Sequence, residues 1–333
     1  MKQSSVQVQE YAKFIDLPVQ RKLLSLLEGR HGGSGAGSSH EFLDMAEYKV
    51  GDDVSDIDWK ASARLSQPVV KRFEATAVLN VVLAVDTGSN MAALASGRIS
   101  GSDTYPYTPP VDPRTGLWVE DAAPDFEEPE PKEDVSATLV TALAWLTAYR
   151  GDLLGLVAGD SEGLATMPAR SGLSHAQTMQ RVATRATPAG AAGDFNAVLR
   201  RVDAVRRHRA LVIAISDLEG AESVDAYYLK RLCYRHDVFF FIVEDLDPTR
   251  FSHPEDLPLV DVQSGPLPDF ASGNGAGEAI AAQWRMAQRL QRQRVEEKLR
   301  RHGIRWAYVG SSQGVTSALL TAFGGEPRGA ASS

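Results

Sequence analysis

Apolar and polar positions along the chain follow two periods, and they switch between them at regular intervals. Leu79 to Val85 is a nearly unbroken apolar run closed by Asp86, which predicts a central strand buried on both faces. Ala210 to Ile215 is a second such run, and it ends in Ser216-Asp217. Val69 to Phe73, Leu153 to Ala158, Val238 to Val243 and Ile304 to Val309 read as further strands, with Gly163 to Pro168 as the return arm of a hairpin. Helical spacing covers 11–28, 136–150, 175–184, 195–207, 224–235, 278–301 and 315–323. Strands separated by helices of this length predict an α/β fold: a doubly wound, mostly parallel sheet with helices on both faces. Such sheets bind ligands beyond the carboxyl ends of their strands. The informative residues are therefore Asp86-Thr87-Gly88-Ser89-Asn90, Ser216-Asp217, Glu244-Asp245 and Gly310-Ser311-Ser312.

One stretch breaks the alternation. Residues 97–134 carry seven prolines, and Glu120 to Asp134 holds eight carboxylates against a single lysine. That composition buries too little apolar surface to fold alone and predicts a disordered or loosely packed insert. The resulting plan is an N-terminal segment over 1–76, an α/β domain over 77–324 interrupted at 97–134, and a disordered tail over 325–333.

Charge and cysteine content narrow the function classes. The chain of 333 residues has 35 basic and 43 acidic side chains, for a net charge of −8, and most of that excess lies in 120–134. The acidic balance argues against nucleic-acid binding. One cysteine, Cys233, excludes an intrachain disulfide framework and a Cys-based zinc cluster, which suits a reducing, cytoplasmic setting. The sequence offers no apolar run of about 18 residues to span a membrane, and the polar first ten residues lack the apolar core of a signal peptide.

Several motifs suggest chemistry. The Gly/Ser-rich loop at 29–39 lacks the Gly-Lys-Ser/Thr of a phosphate-binding loop and reads as a mobile connection. Gly310-Ser311-Ser312-Gln313-Gly314 has the spacing of a nucleophile elbow between strand and helix. All seven histidines precede it, so no downstream base completes the hydrolase order, and a serine-capped turn is the reading kept. Asp86, the hydroxyls of Thr87 and Ser89, and Asn90 sit on one turn as hard oxygen donors suited to Mg²⁺, with Asp217 and Asp194 as further carboxylates. The same residue types are common helix caps, and spacing alone leaves both readings open. The aspartates of 52–58 do not follow a calcium-loop order, and Arg64 could clasp one of them. Glu278 to Arg301 reads as an amphipathic helix with seven bases on its polar side, either simply solvated or facing an anionic surface such as the acidic insert.

Glu41-Phe42, Glu47-Tyr48, Gly51-Asp52-Asp53, Ile57-Asp58-Trp59, Ala63-Arg64 and Val70-Lys71-Arg72-Phe73-Glu74 fall in the order and spacing of the domain of unknown function 58 family. Ser216-Asp217 and Arg235-His236-Asp237-Val238 also resemble it. Two family arginines are replaced, by Ala46 and Ser55. The resemblance implies a fold similar to von Willebrand factor A domains, with a metal-ion-dependent adhesion site of the Asp-x-Ser-x-Ser type. Asp86 and Asp217 match that pattern, Gly88 and Asn90 stand at the two serine positions, and the threonine position falls near Gly193, beside Asp194. It implies a degenerate Mg²⁺ site on Asp86, Asn90 and Asp217, with Ser89 and Asp194 as further candidates, and Thr87, Gly88 and Ser89 as partner-binding positions. It also implies a non-enzymatic interaction module working with a MoxR-type AAA+ ATPase, with no indication of the client protein. The alternatives are a metal-assisted hydrolase using Asp86 and Asp217, with His40 or Asp58 as base, and a metal-free scaffold.

Overall fold

The computed structural model describes residues 40–48, 57–65, 67–75, 78–99, 129–183, 191–206, 208–249, 260–262, 265–266 and 275–323. The helix expected over 11–28, the Gly/Ser loop, Gly51, Asp52 and Asp53, the body of the insert and the tail lie outside them. The chain divides into two compact units at Leu79/Asn80.

The smaller unit holds β1 (His40–Glu47) and β2 (Val69–Ala75), paired antiparallel, and α1 (Trp59–Leu65) between them. Ile57 stands in a β-bridge, and the helix begins two residues later at Trp59. Asp58 accepts from the backbone N–H groups of Lys60 and Ala61, both at 3.0 Å, which satisfies two of the donors a helix start leaves open. Trp59, the first residue of the helix and part of the Ile57-Asp58-Trp59 motif, is 69% exposed.

The larger unit is built on six strands: β3 (Asn80–Asp86), β4 (Leu153–Gly159), β5 (Leu164–Arg170), β6 (Leu211–Asp217), β7 (Asp237–Val243) and β10 (Arg305–Val309). Their spatial order is β10-β7-β6-β3-β4-β5. All neighbours are parallel except the β4/β5 hairpin at one edge. Two further two-residue strands, β8 (Val260–Asp261) and β9 (Gly265–Pro266), form a separate ladder. The mostly parallel doubly wound α/β sheet expected from the alternating pattern is the observed fold.

Helices cover both faces, as a sheet of continuous apolar strands requires. On one face, α4 (Phe195–Val205), α6 (Ala226–Arg235) and α7 (Gly275–Arg301) bury Phe195, Val198, Leu232, Val295 and Leu299 against Val82, Ala84, Val212 and Phe240. On the other, α2 (Lys132–Arg150) and α8 (Gly314–Phe323) pack, with Phe323 tilted against Phe239 and edge-on to Phe241 at ring separations of 5.1 and 6.0 Å. The remaining helices are α3 (Leu173–Ala183) and the short α5 (Leu218–Ser223).

The start of α2 departs from the expected boundary. The helix opens at Lys132, inside the stretch assigned to the acidic insert. Pro131 stands at the N-cap position, and Glu133 and Asp134 occupy the first turn. Negative charge there is favoured by the helix dipole, so residues read as solvating charge serve as a helix start.

Candidate functional site

The chain winds outward from β3 through β4 and β5, then returns to build β6, β7 and β10 on the other side. The strand order therefore reverses between β3 and β6. A crevice at such a reversal is where open α/β sheets place ligands. Asp86 ends β3 and Asp217 ends β6, so the two carboxylates predicted from sequence stand side by side at the switch point.

Asp86 is buried and surrounded by donors. Its Oδ2 accepts from Ser216 Oγ at 2.7 Å and Asn90 Nδ2 at 3.1 Å, and its Oδ1 from the Gly88 N–H at 3.0 Å. Burial pushes its pKa up; the three hydrogen bonds oppose that shift and the Asp217 charge adds to it. Asp217 caps α5 by accepting from the Gly220 N–H at 2.8 Å.

The other oxygen of Asp217 meets a residue the motifs did not indicate. Lys132 Nζ donates to Asp217 Oδ2 at 2.7 Å and also to Asp245 Oδ1. Lys132 and Asp217 are each 2% exposed, whereas Asp245, just past β7, is 34% exposed. Burial would lower the Lys132 pKa, but the two carboxylates outweigh it and raise the group above its ordinary value. Burial would raise Asp217, but the Lys132 charge, its hydrogen bond and the donors from Gly220 and Asn90 hold it below the usual carboxylate range. Asp245 carries the remaining excess of negative charge and is pushed up to about 6, first by burial and then by its acidic neighbours against the pull of Lys132.

Backbone pairing fixes where Lys132 sits. The chain leaving Asn90 crosses the upper edge of the sheet as a strap. Ser96 N–H donates to Glu244 O, Gly97 N–H to Gly310 O, and Leu246 N–H to Leu94 O. The same strap meets the returning end of the insert: Ala95 N–H donates to Glu130 O at 2.7 Å and Lys132 N–H to Ala93 O at 2.8 Å. Both ends of the insert are thereby zipped together beside Asp217. Arg98 and Arg292 lock the strap by bonding Glu244 at 2.7 and 3.1 Å.

The remaining predicted residues are distributed as follows. Ser89 opens a short 3-10 turn and its N–H donates to Ala191 O, while the Thr87 N–H donates to Gly159 O. Gly88 lies against Gly193: a Cβ built on Gly88 would stand 2.3 Å from Gly193 Cα. Asp194 does not join Asp86; it caps α4 by accepting from the Ala197 N–H at 2.9 Å. His40 and Asp58 belong to the smaller unit. Ser312, the elbow serine, is held by Glu130, whose carboxylate accepts from its N–H at 2.6 Å and its Oγ at 2.9 Å. On α7, Arg292, Arg294, Lys298, Arg300 and Arg301 bond acceptors on Glu244, Glu296, Glu222 and Glu297 within the chain. A cleft of about 310 Å³ opens beside the switch point, between Leu94, Lys132, Asp217, Asp245, Val260 and Trp284.

These residues do not fit a Mg²⁺ ion, which demands near-octahedral oxygen ligation at about 2.0–2.1 Å. Gly88 and Gly193 offer no side-chain oxygen, and their backbones are too close to admit one. Asn90 Oδ1 is buried without a partner, but it faces those two glycines, in the space a hydroxyl side chain would need. The carboxylate oxygens of Asp86 and Asp217 are engaged by N–H and O–H donors and by Lys132. Among the described residues no three His, Cys, Asp or Glu side chains converge to hold a metal.

The family profile described as protein of unknown function DUF58 matches residues 44–100 and 117–275. The chain belongs to the DUF58 family. Uncharacterised proteins of Mycobacterium tuberculosis and Mycobacterium bovis are 28% identical to this DUF58 chain over 261 residues, covering 77% of it and 71% of their own length. Among solved structures, an aerotolerance-related membrane protein from Bacteroides fragilis aligns with 14% identity and a TM-score of 0.38, covering 74% of this chain and 98% of that one. The conserved hypothetical protein BatB from Bacteroides thetaiotaomicron aligns with 12% identity and a TM-score of 0.39, covering 73% and 97%. Among the described residues of this DUF58 member, no helix is long and apolar enough to cross a membrane.

Proposed function

We propose that this DUF58 member is a non-enzymatic protein-interaction module of the von Willebrand A type, which docks a partner on the upper edge of its sheet. The observation that carries this reading is the state of the polar groups at the switch point. Asp86, Ser216, Asp217 and Lys132 are bound to one another or to a helix start, and Ser312 is bound to Glu130, so the hydroxyls and carboxylates serve as structure rather than as a poised nucleophile and base. A rigid edge crossed by a strap, with a mixed polar and apolar cleft beside it, suits recognition by loops held on a scaffold.

The partner this reading names is an AAA+ ATPase of the MoxR type, on the strength of the family resemblance, with the edge acting as adaptor between ATPase and client. Thr87 and Ser89, half-buried on the turn after β3, are the contact positions this reading assigns, with Gly88 buried between them, and the Pro-rich insert that leaves from the following strap modulates or covers that edge. The test is affinity capture of such an ATPase by the full chain and by a variant lacking residues 100–128, whose neck pairing at 93–95 and 130–132 is retained. Capture by the full chain, altered by the deletion, supports the reading. No capture by either protein refutes the partner, and equal capture refutes a role for the insert.

A further inference from the structure

The Lys132 ammonium lies where a doubly wound sheet of this kind gathers its carboxylates. It is nearly fully buried, touches the end of β6 through Asp217 and the residue after β7 through Asp245, and comes from the helix that the strap pins beside Asn90. Two carboxylates drawn together in a buried site repel and need a cation between them. The chain supplies that cation covalently. The hydroxyl positions of the adhesion-site pattern, beside Asp86, are filled by closely packed glycine backbone and the Asn90 amide, so the cation position left at this edge is the one between Asp217 and Asp245 that Lys132 occupies.

We propose that Lys132 is a built-in cation that replaces the divalent ion at this sheet edge, so that the edge is assembled and presented without metal. A divalent site recruits partners through an open coordination position that a carboxylate can fill. Here the cation is enclosed by the chain's own carboxylates, and the group turned outward is Asp245. This chemistry of the edge is independent of which partner docks on it.

The experiment is a Mn²⁺ titration of the full chain followed by electron paramagnetic resonance of the free ion, with thermal unfolding in Mg²⁺ and in chelator alongside. The wild type is expected to show no binding that Asp217→Asn removes, and a Tm unchanged between Mg²⁺ and chelator. Weak Mn²⁺ association with the acidic insert is distinguished by its persistence in Asp217→Asn. Lys132→Met keeps the aliphatic stem and frees two carboxylates; it is expected to lower Tm in chelator and to gain saturable Mn²⁺ binding that raises Tm again. That gain is expected to vanish in Lys132→Met/Asp217→Asn. Stoichiometric Mn²⁺ binding by the wild type, lost in Asp217→Asn, overturns the proposal. So does a folded Lys132→Met protein that gains no divalent ion. Should Lys132→Met fail to fold, the wild-type titration still decides, because it needs no variant at Lys132.

Discussion

Glu244 is the sharpest place to test how the sheet edge is held. It follows β7, is buried, and accepts from Arg98 on the strap at 2.7 Å and from Arg292 on α7 at 3.1 Å. Arg292 also stacks its guanidinium 3.5 Å above the Tyr308 ring and bonds Glu296. One carboxylate thus joins a crossing loop and a long helix to the top of the sheet. Glu244→Ala removes the acceptor that the two largely buried guanidinium groups share, while Arg292 keeps its bond to Glu296. Breaking a buried pair by deleting one partner costs about 3–5 kcal/mol, because the surviving charge stays desolvated. For a domain of this size about 2–4 °C of Tm accompanies each kcal/mol, so a fall of roughly 6–20 °C is expected. The comparison is Glu297→Ala, which removes the exposed partner of Arg300 and Arg301 on the same helix and is expected to leave Tm unchanged within error. Thermal unfolding by circular dichroism gives both values, and hydrogen exchange of the strap at 94–98 gives the local consequence. A Glu244→Ala loss below about 1 kcal/mol, or strap protection unaffected by it, would refute the claim that this carboxylate holds the edge together.

Three further outcomes follow from the same geometry. His236 is buried with both ring nitrogens unpartnered, and its pKa is lowered by burial and by Arg235 and Arg209, against Asp203 and Asp237. The unfolded chain then binds the extra proton first, so stability present at neutral pH falls as pH drops below about 6.5, by at most about 1.4 kcal/mol per unit; urea unfolding between pH 5.5 and 7.5 should show this slope, and His236→Phe with the wild-type slope would sink it. Gly88→Ser reinstates the hydroxyl of the adhesion-site pattern but sets a Cβ 2.3 Å from Gly193 Cα, so calorimetry should show destabilisation of about 1–3 kcal/mol and no gain of Mg²⁺ binding. Glu130→Gln weakens the grip on Ser312 at the start of α8 and should cost about 1 kcal/mol in chemical denaturation, whereas an unchanged midpoint would show that the serine needs no such partner.

What the amino-acid pattern reveals depends on whether a residue's role is set by its neighbours in sequence or by chain crossings. The strands β3 and β6 are legible because each is a continuous apolar run, and two such runs ending in Asp86 and Asp217 place both carboxylates on the same sheet edge. Their adjacency follows from the order reversal that doubly wound sheets share. β1 and α1 are not legible in this way: the strand HEFLDMAE mixes polar and apolar positions without a clean period, and α1 is a single short helix begun by Asp58. Lys132 is obscured for a different reason. It is the one lysine among eight carboxylates in 120–134, and composition averages it into a segment that reads as solvated charge. The backbone tells the residues of that segment apart. Glu130 reaches Ser312 and Lys132 reaches Asp217 and Asp245, contacts spanning 182, 85 and 113 positions of chain. A charge count cannot register pairings of that range. The net charge of −8 therefore conceals a local reversal: where the sheet gathers its carboxylates most closely, the acidic segment contributes its only positive charge.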